Sequence, residues 1–309
     1  MLKLWTDFNF IKNEDLLLDN EMVLVYPFLN ENIKKYHKLN TKFWNNNIFS
    51  EIKNYTPTSY AFVDNINDSD FILLPFKLNI SDERFNYFYS LSIKQNKKLI
   101  VFYNDDNYKE IELDNLLIFR TSFYRVKMKD NIKIFPPFFG PKINEFKKCD
   151  YNKTIGFCGA VTSKERHNVL DFIQNPYNLI DYRKNIIIRD GFFCGSVDKS
   201  IAVDEFNQNL LNNLYNVCVR GAGNFTYRFF ETLSVGRIPI FIDTDTPLPF
   251  ENIIDYKKHC VYVNYKQLPM LEDIIEEFEN NNNLEEVQLK NFNLYNEFLS
   301  PKGFINNFI

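Results

Sequence analysis

Two oppositely charged residues, Arg228 and Glu231, have the types and spacing expected of a nucleotide site. The surrounding pattern places Arg228 in the first turn of a helix, where the helix dipole disfavours a cation by about 0.3–1 kcal/mol. A bound diphosphate would reverse that effect. Glu231 lies three residues on, on nearly the same helix face, and can accept hydrogen bonds from two vicinal hydroxyls such as those of a ribose. The pair predicts a nucleotide-diphosphate site; a solvated ion pair between the two is the alternative.

The elements that position these side chains are read from residues 216–250. NVCV has strand character, RGAGN interrupts it with two glycines, and a helical apolar spacing follows before the short strand IPIFI. This is half of a doubly wound α/β domain, whose loops direct backbone N–H groups towards an anion at the carboxyl edge of the sheet. The predicted donor-binding residues here are Arg220, Gly221, Gly223, Asn224, Thr226, Arg228 and Glu231.

The same segment resembles the nucleotide-sugar-binding motif of the exostosin family of glycosyltransferases. In that motif a strand ending in Cys is followed by a glycine loop, Ser or Thr, Arg, Glu, a Gly-x-Ile-Pro strand and a Leu-Pro-Phe turn. Val219-Arg220 departs from it, because many members have proline there; whether Arg220 touches substrate or only shapes the loop is left open. The matching positions are Cys218, Gly221, Thr226, Arg228, Glu231, Gly236, Ile238, Pro239 and Leu248-Pro249-Phe250.

The resemblance implies a fold and an organisation for the whole chain. The expected fold class is α/β of the GT-B type, with two facing Rossmann-like lobes that each contain a parallel sheet. Residues 1–145 would form an acceptor-side lobe and residues 150–283 the nucleotide-sugar-binding lobe. Residues 284–309 would form a C-terminal helix that crosses back to the first lobe, and the proline-containing stretch 136–150 indicates the interdomain linker.

In residues 1–145, apolar runs alternate with helical patterns, which is typical of a parallel sheet. The run from Asp68 to Pro75 also resembles the amino-terminal signature of the exostosin family, an Asp-x-Asp that leads into an apolar strand ending in proline. The predicted strands are 2–5, 22–26, 59–64, 70–74, 98–103 and 116–120, and the predicted helices lie near 31–53 and 81–97.

From residue 152 a second α/β unit begins. Ser163 is the expected cap of its first helix. Arg166 lies early in that helix and is a second candidate phosphate ligand, with a solvated position on the helix surface as the alternative. The predicted strands are 154–159, 185–191, 216–219, 238–242 and 259–263, and the predicted helices are 163–173, 206–215 and 270–279, with a final helical pattern to 299.

A transfer that inverts the anomeric centre needs a base to take the proton of the acceptor hydroxyl as it attacks C1. Asp105 and Asp106 follow the strand 98–103 in a carboxyl-edge loop, where ligands collect in such sheets. They are the candidate bases, although adjacent Asp residues in a turn often hydrogen-bond their own backbone. A retaining mechanism that uses two spaced glutamates is not supported, since no acid follows Glu231 at the required spacing.

Other patterns predict different chemistry. Asp243-Thr-Asp245 after an apolar strand could hold Mg²⁺ or Mn²⁺, although the resemblance implies that metal is dispensable and that the donor is the only small molecule required. Residues 221–226 resemble the dinucleotide fingerprint of dehydrogenases, but Thr226 replaces its third glycine. The five cysteines and three histidines lack metal-ligand spacing, so free thiols and surface or structural imidazoles are expected. The histidines are His37, His167 and His259.

Composition limits the partners. The net charge of −4 argues against general nucleic-acid binding, because no dominant basic field exists. No apolar run reaches the length of a membrane span, and the charged N-terminal stretch does not resemble a signal peptide, so a cytosolic protein is expected. Since animal and plant exostosin-like enzymes usually carry an N-terminal anchor, this favours a bacterial or viral relative that works in the cytoplasm, including at the inner face of the membrane.

Together these patterns predict a glycosyltransferase that moves a sugar from a nucleotide-diphosphate donor, expected to be UDP-linked, to a glycan or lipid-linked acceptor. Inversion and metal independence are implied by the resemblance. Two alternatives stay open: a metal-dependent transferase built around Asp243 and Asp245, and a non-catalytic subunit that binds a sugar nucleotide. Peripheral association with a membrane is left open as well.

Overall fold

A computed structural model describes residues 1–12, 15, 19–29, 48–150, 152–189 and 198–309. The chain forms two compact units, each with its own sheet. The first unit comprises Met1–Phe123, Lys127–Pro141 and Glu297–Ile309, and the second comprises Tyr124–Val126 and Lys142–Asn296. The paired strands of both sheets run parallel. The α/β class predicted from the sequence is confirmed, and it is consistent with the GT-B architecture.

The first unit contains a six-stranded sheet in the order β2-β1-β3-β4-β5-β6. Its central strands are apolar on both faces and buried, as expected of a parallel sheet. One helix, α1 (Glu83–Gln95), begins at Asp82, whose side chain accepts the Arg84 N–H, and ends at Asn96 in the left-handed conformation. The strands are β1 (Leu2–Trp5), β2 (Tyr60–Phe62), β3 (Phe71–Leu73), β4 (Leu99–Tyr103), β5 (Leu116–Arg120) and β6 (Ile132–Ile134).

One sequence prediction in this unit is wrong, and one strand was missed. The expected strand 22–26 forms no strand; short 3₁₀ turns at Asp19–Met22 and Tyr26–Phe28 flank it. The run is buried all the same, and burial rather than pairing explains its apolar side chains. Strand β6 was missed because its middle residue is an exposed lysine and it has only three residues. The predicted helix near 31–53 lies mostly outside the described residues.

The second unit contains a five-stranded sheet in the order β11-β10-β9-β7-β8. The chain adds β8 on one side of β7 and then returns to place β9 on the other side. The strand order therefore reverses between β7 and β9, and open α/β sheets bind ligands at the carboxyl ends of the strands at such a point. The strands are β7 (Thr154–Ala160), β8 (Arg183–Arg189), β9 (Tyr215–Val219), β10 (Ile238–Asp243) and β11 (Val261–Asn264).

Five α-helices lie in the described part of this unit. Ser163 caps the first of them by accepting the Arg166 N–H, as predicted. The helix before β9 begins earlier than predicted, because Asp198 caps it. The helices are α2 (Lys164–Gln174), α3 (Lys199–Asn212), α4 (Tyr227–Ser234), α5 (Leu271–Asn281) and α6 (Leu284–Leu294).

The C-terminal region is divided differently from the prediction of one helix over 284–309. Helix α6 belongs to the second unit, a π-helical turn follows at Tyr295–Leu299, and α7 (Pro301–Asn307) belongs to the first unit. Ser300 caps α7 and Pro301 occupies its first turn, so the sequence itself starts a new helix there. Among the described residues, no helix has the length and apolarity needed to cross a membrane.

Candidate functional site

The loops that leave β7 and β9 lie side by side at the point where the strand order reverses. The Ser163 hydroxyl donates to the carbonyl oxygen of Arg220 at 3.2 Å. Gly221 approaches the first loop so closely that a Cβ there would stand 3.2 Å from Arg166 Nη2 and 3.3 Å from Thr162 Oγ1. Glycine at 221 therefore permits a guanidinium to pack against the loop backbone.

Arg228 lies in the first turn of α4, as predicted, and is only 9% exposed. Its Nη2 donates to the Cys158 carbonyl oxygen, and its guanidinium carbon lies 4.5 Å from the ring centre of Phe157 and 4.9 Å from that of Phe206. Its Nη1 is buried and has no hydrogen-bond partner among the described residues. Burial lowers the pKa of Arg228. An open, buried N–H on a cation is a place for an anionic oxygen.

Arg166 brings a second guanidinium to the same point. Its Nη1 donates to the Ala160 carbonyl at 2.8 Å and its Nη2 to the Val219 carbonyl at 2.9 Å, so the side chain joins the carboxyl ends of β7 and β9. Its Nε is buried without a partner in the described structure. Burial, and after it the charge of Arg228, lower the pKa of Arg166 to about 10. Two neighbouring cations that repel each other, one half-buried and one buried, are unfavourable unless an anion joins them.

Glu231 is 9% exposed and forms an ion pair with Lys142, whose Nζ lies 3.2 Å from Oε1. The alternative interpretation, a solvated ion pair between Arg228 and Glu231, does not fit two side chains that are nine-tenths buried. Lys142 also lies 5.1 Å from the ring centre of Phe206, the ring that Arg228 contacts. Sequence reasoning missed Lys142, since the stretch 136–150 was interpreted only as a linker.

The remaining predicted loop residues have mainly structural contacts. Arg220 donates to the Tyr124 hydroxyl at 2.9 Å and to the Ala222 carbonyl at 3.0 Å, so it shapes its own loop. The Asn224 amide is fully buried and bonds the turn that follows β10. Thr226 occupies the N-cap of α4, but its side chain makes no capping hydrogen bond. Gly223 is buried within the same loop.

Asp243, the first member of the candidate metal motif, already has partners on both carboxylate oxygens. Its Oδ1 accepts the Thr246 N–H at 2.8 Å, and its Oδ2 accepts from Arg125 at 3.0 Å and from the Tyr262 hydroxyl at 2.7 Å. Burial and the bond to Asp243 raise the pKa of Tyr262. Arg125 was not singled out by the sequence, because 118 residues separate it from Asp243. The positive charge that balances the Asp243 carboxylate therefore comes from an arginine, Arg125.

The candidate bases lie in the first unit. Asp105 is on the wall of a cavity of about 560 Å³, and its Oδ2 lies 3.8 Å from Lys77 Nζ. Its Oδ1 accepts the Asn107 N–H at 2.9 Å, which is the local turn bond that the alternative interpretation expected. The Asp106 carbonyl accepts the Ser122 hydroxyl at 3.1 Å.

The histidines and cysteines have structural surroundings. His167 is exposed and pairs with Asp171, whereas His259 Nδ1 lies 2.9 Å from Asn291 Oδ1 and burial lowers its pKa. His37 and Cys194 lie outside the described residues. In the part of the chain that the structure describes, no group of three or more His, Cys, Asp or Glu is placed to hold a metal ion. The cysteines at 149, 158, 218 and 260 are free and buried.

Comparison with known protein families agrees with this geometry. Residues 152–278 match the model of the Exostosin GT47 domain, a stretch that contains β7 to β11 and both arginines. No curated protein matches the chain. The match covers the candidate site and most of the second unit. Residues 152–278 are therefore similar to the Exostosin GT47 domain, which is found in a family of glycosyltransferases.

Proposed function

We propose that the chain transfers a sugar from a nucleotide-diphosphate donor, UDP-linked, to a glycan acceptor, with inversion and without a metal ion. The observation that carries the proposal is a pair of arginines, the half-buried Arg166 and the buried Arg228, at the reversal of the strand order. Each has a buried nitrogen without a partner in the described structure, and neither forms an ion pair with a carboxylate there. The oxygens of a diphosphate would supply acceptors for both nitrogens.

These arginines would act mainly on the leaving group. As the bond between C1 and the diphosphate breaks, negative charge grows on the phosphate oxygens. Fixed cations in a buried site interact with that charge strongly and need no reorganisation, and removing one such donor typically costs 10²–10³-fold in rate. Arg228 has the open Nη1 and is the stronger candidate, while Arg166 also holds the ends of β7 and β9.

Glu231 would hold the ribose. Its carboxylate is buried near Arg228 and oriented by Lys142, and a carboxylate oxygen retains lone pairs after accepting one hydrogen bond. Two vicinal hydroxyls could therefore donate to it. Lys142 lies on one side of the carboxylate, with its Nζ 3.2 Å from Oε1.

The acceptor would enter the first unit at the cavity that Asp105 lines. Four carboxylates and three cations line this cavity, and a hydroxyl-rich glycan can form hydrogen bonds to both kinds of group. Asp105 would take the proton of the acceptor hydroxyl as that hydroxyl becomes the nucleophile. Asp106 in the same loop is the second candidate for this proton transfer.

A thermal-shift screen across UDP-, GDP-, CMP- and dTDP-sugars tests the donor assignment. The wild type is expected to be stabilised most by UDP-sugars, Arg228→Met and Glu231→Ala to lose the shift, and Arg183→Met, at an exposed position on β8 of the same sheet, to retain it. A normal shift in both site variants would show that the pocket is elsewhere. The same samples with and without EDTA separate the metal-dependent alternative, and donor hydrolysis or transfer separates an enzyme from a binding subunit.

A further inference from the structure

Arg125 sits among four oxygen atoms of the second unit. Its Nη1 lies 3.0 Å from Asp243 Oδ2, and its Nη2 lies 2.9 Å from Glu251 Oε1, 2.6 Å from the Thr246 carbonyl oxygen and 3.2 Å from the Tyr262 hydroxyl. Two carboxylates, a carbonyl and a hydroxyl are the hard oxygen ligands that Mg²⁺ or Mn²⁺ would take. Here a guanidinium occupies the place of such an ion.

The backbone beside Arg125 holds the turn that follows β10. The Arg125 N–H donates to the Asp245 carbonyl at 2.9 Å, and the Val126 N–H donates to Asp245 Oδ2 at 3.3 Å. Asp245 has a φ of +66°, which L residues rarely adopt, so its conformation depends on such contacts. Residues 124–126 thus fix the shape of this turn although they come from a distant part of the sequence.

The turn in its place holds the glycine loop of the candidate donor site. Asn224 Oδ1 accepts the hydroxyls of Thr244 and Thr246 at 2.7 and 3.0 Å, and its Nδ2 donates to the Asp245 carbonyl at 3.2 Å. At the start of the same loop, the Tyr124 hydroxyl accepts from Arg220 Nη1 at 2.9 Å. Both the beginning and the middle of the loop are therefore tied to residues 124–126.

We propose that Tyr124 and Arg125 are positioning residues for the donor loop 220–226. Arg125 is the internal counter-ion of Asp243 and Glu251, and it fixes the turn to which the Asn224 side chain is hydrogen-bonded. Tyr124 fixes Arg220. The inference rests on the proposed function in one respect, that this loop is part of the donor site. The contacts of Tyr124 and Arg125 do not depend on a ligand.

Amide hydrogen exchange tests the positioning role without any ligand. In Arg125→Ala, exchange in residues 220–226 and 243–246 is expected to rise above the wild type, while β7 and α5 stay protected. Arg125→Lys should show an intermediate rise, because lysine restores the charge but not the fork that reaches several oxygens. Lys129→Ala, at an exposed position close in sequence, is the matched control. Unchanged exchange in loop 220–226 of Arg125→Ala would overturn the proposal.

Donor kinetics add a readout that loss of stability alone would not produce. The KM for the UDP-sugar is expected to rise about tenfold in Arg125→Ala, about 1.4 kcal/mol, with kcat changed much less. Tyr124→Phe should raise KM by a smaller factor, since only the hydroxyl that holds Arg220 is lost. Equal falls in kcat for Arg125→Ala and for Lys129→Ala, with KM unchanged in both, would contradict a positioning role.

A divalent cation provides a test of the counter-ion assignment. Mn²⁺ alone, followed by its electron paramagnetic resonance signal, should bind Arg125→Ala and lower exchange in loop 220–226 towards the wild-type level, because the vacated oxygens suit it. The wild type and Arg125→Lys should not bind it at this place. Failure of Mn²⁺ to bind Arg125→Ala would overturn the counter-ion role. If the wild type bound no sugar nucleotide while exchange still rose in Arg125→Ala, the proposed function would fail and this inference would stand.

Discussion

Two arginines, one in each unit, both pack against aromatic rings but differ in whether a carboxylate lies beside them. Arg84 of the first unit packs 4.0 Å from the ring centre of Phe76, much as Arg228 of the second packs on Phe157. Arg84 forms ion pairs with Asp15 and Asp82, both at 2.6 Å, and its side-chain bonds to them raise its pKa. Burial instead lowers the pKa of Arg228. The paired arginine stabilises its unit, whereas Arg228 keeps a buried nitrogen without a partner among the described residues.

Arg120 shows that burial without a carboxylate does not by itself make a binding group. It is 1% exposed, and burial lowers its pKa to about 10. Yet its Nε, Nη1 and Nη2 donate to three carbonyl oxygens, those of Ser122, Lys109 and Asn107. Arg228 differs in retaining a buried nitrogen with no partner among the described residues. The open hydrogen-bonding position, and not burial, distinguishes the candidate site.

The comparison predicts its largest effect at Arg228. In Arg228→Met, sugar transfer should fall by about 10²–10³-fold, because a donor aimed at the leaving group is lost. The free energy of unfolding should stay the same or rise by about 1 kcal/mol, because an unpaired buried charge is removed while the rings of Phe157 and Phe206 remain covered. Urea unfolding and a transfer assay on the same preparation check both halves. A loss of several kcal/mol in stability would mean that Arg228 serves the fold.

Arg84→Met should produce the opposite result. The free energy of unfolding of the first unit should fall by about 3 kcal/mol, at the low end for breaking a buried pair because Asp82 keeps some contact with water. Tryptophan fluorescence reports this transition, since Trp5 and Trp44 both precede residue 124. Lys94→Met, at an exposed position on α1, is the control and should stay within about 0.5 kcal/mol of the wild type. An equally small change in Arg84→Met would remove the distinction between the two arginines.

The same variant should change the acid limb of the stability curve. The hydrogen bond from Arg84 lowers the pKa of Asp82, so the native state binds fewer protons than the unfolded chain. The stability from this pair is therefore complete above the unfolded pKa of about 4 and is lost as the pH falls through the native pKa. In Arg84→Met the free energy of unfolding should therefore fall less steeply as the pH is lowered. Unfolding free energies measured from pH 6 downwards, at about 0.15 M salt, compare the two slopes.

Glu231 tests the distinction between paired and unpaired charges within the second unit. Its carboxylate forms an ion pair with Lys142, and we still propose that it binds the ribose. Replacing UDP by 2′-deoxy-UDP should weaken binding to the wild type by about 1.5 kcal/mol, the value of a hydrogen bond to a charged group. In Glu231→Gln the same replacement should cost much less, since the bond is already weakened. Calorimetric titration of both nucleotides with both proteins closes the cycle. Equal costs in the two proteins would show that Glu231 does not contact the ribose.

The sequence predicted those parts of the fold and site that rest on contiguous residues. Long apolar runs became β4, β5, β9 and β10, and the cap at Ser163 formed as expected. The run at 22–26 was wrong, because a buried apolar run does not by itself reveal whether its backbone pairs with a strand.

The partners of the predicted site residues could not be found in the same way. Lys142 meets Glu231, Tyr124 meets Arg220 and Arg125 meets Asp243. All three come from stretches about 90 or more residues away, where a single charge or hydroxyl has no periodic signal of its own. Even the buried Asn224, which was expected to bind donor, bonds a turn 20 residues on. Sequence spacing identified the candidate side chains, and tertiary contacts determine which of them keep a hydrogen-bonding atom without a partner among the described residues.

The smallest predicted effect is the coupling between Arg166 and Arg228 without ligand. Burial, and after it the charge of Arg228, lowers the pKa of Arg166, because the two cations repel each other in the native state. Each single change to methionine removes that repulsion once, and the sum of the two changes counts it twice. The double variant should therefore gain less stability than the sum, by about 0.5–1 kcal/mol. When all four proteins of this cycle are measured in saturating diphosphate, the coupling should disappear or change sign. An anion shared by both guanidinium groups turns their repulsion into a joint attraction.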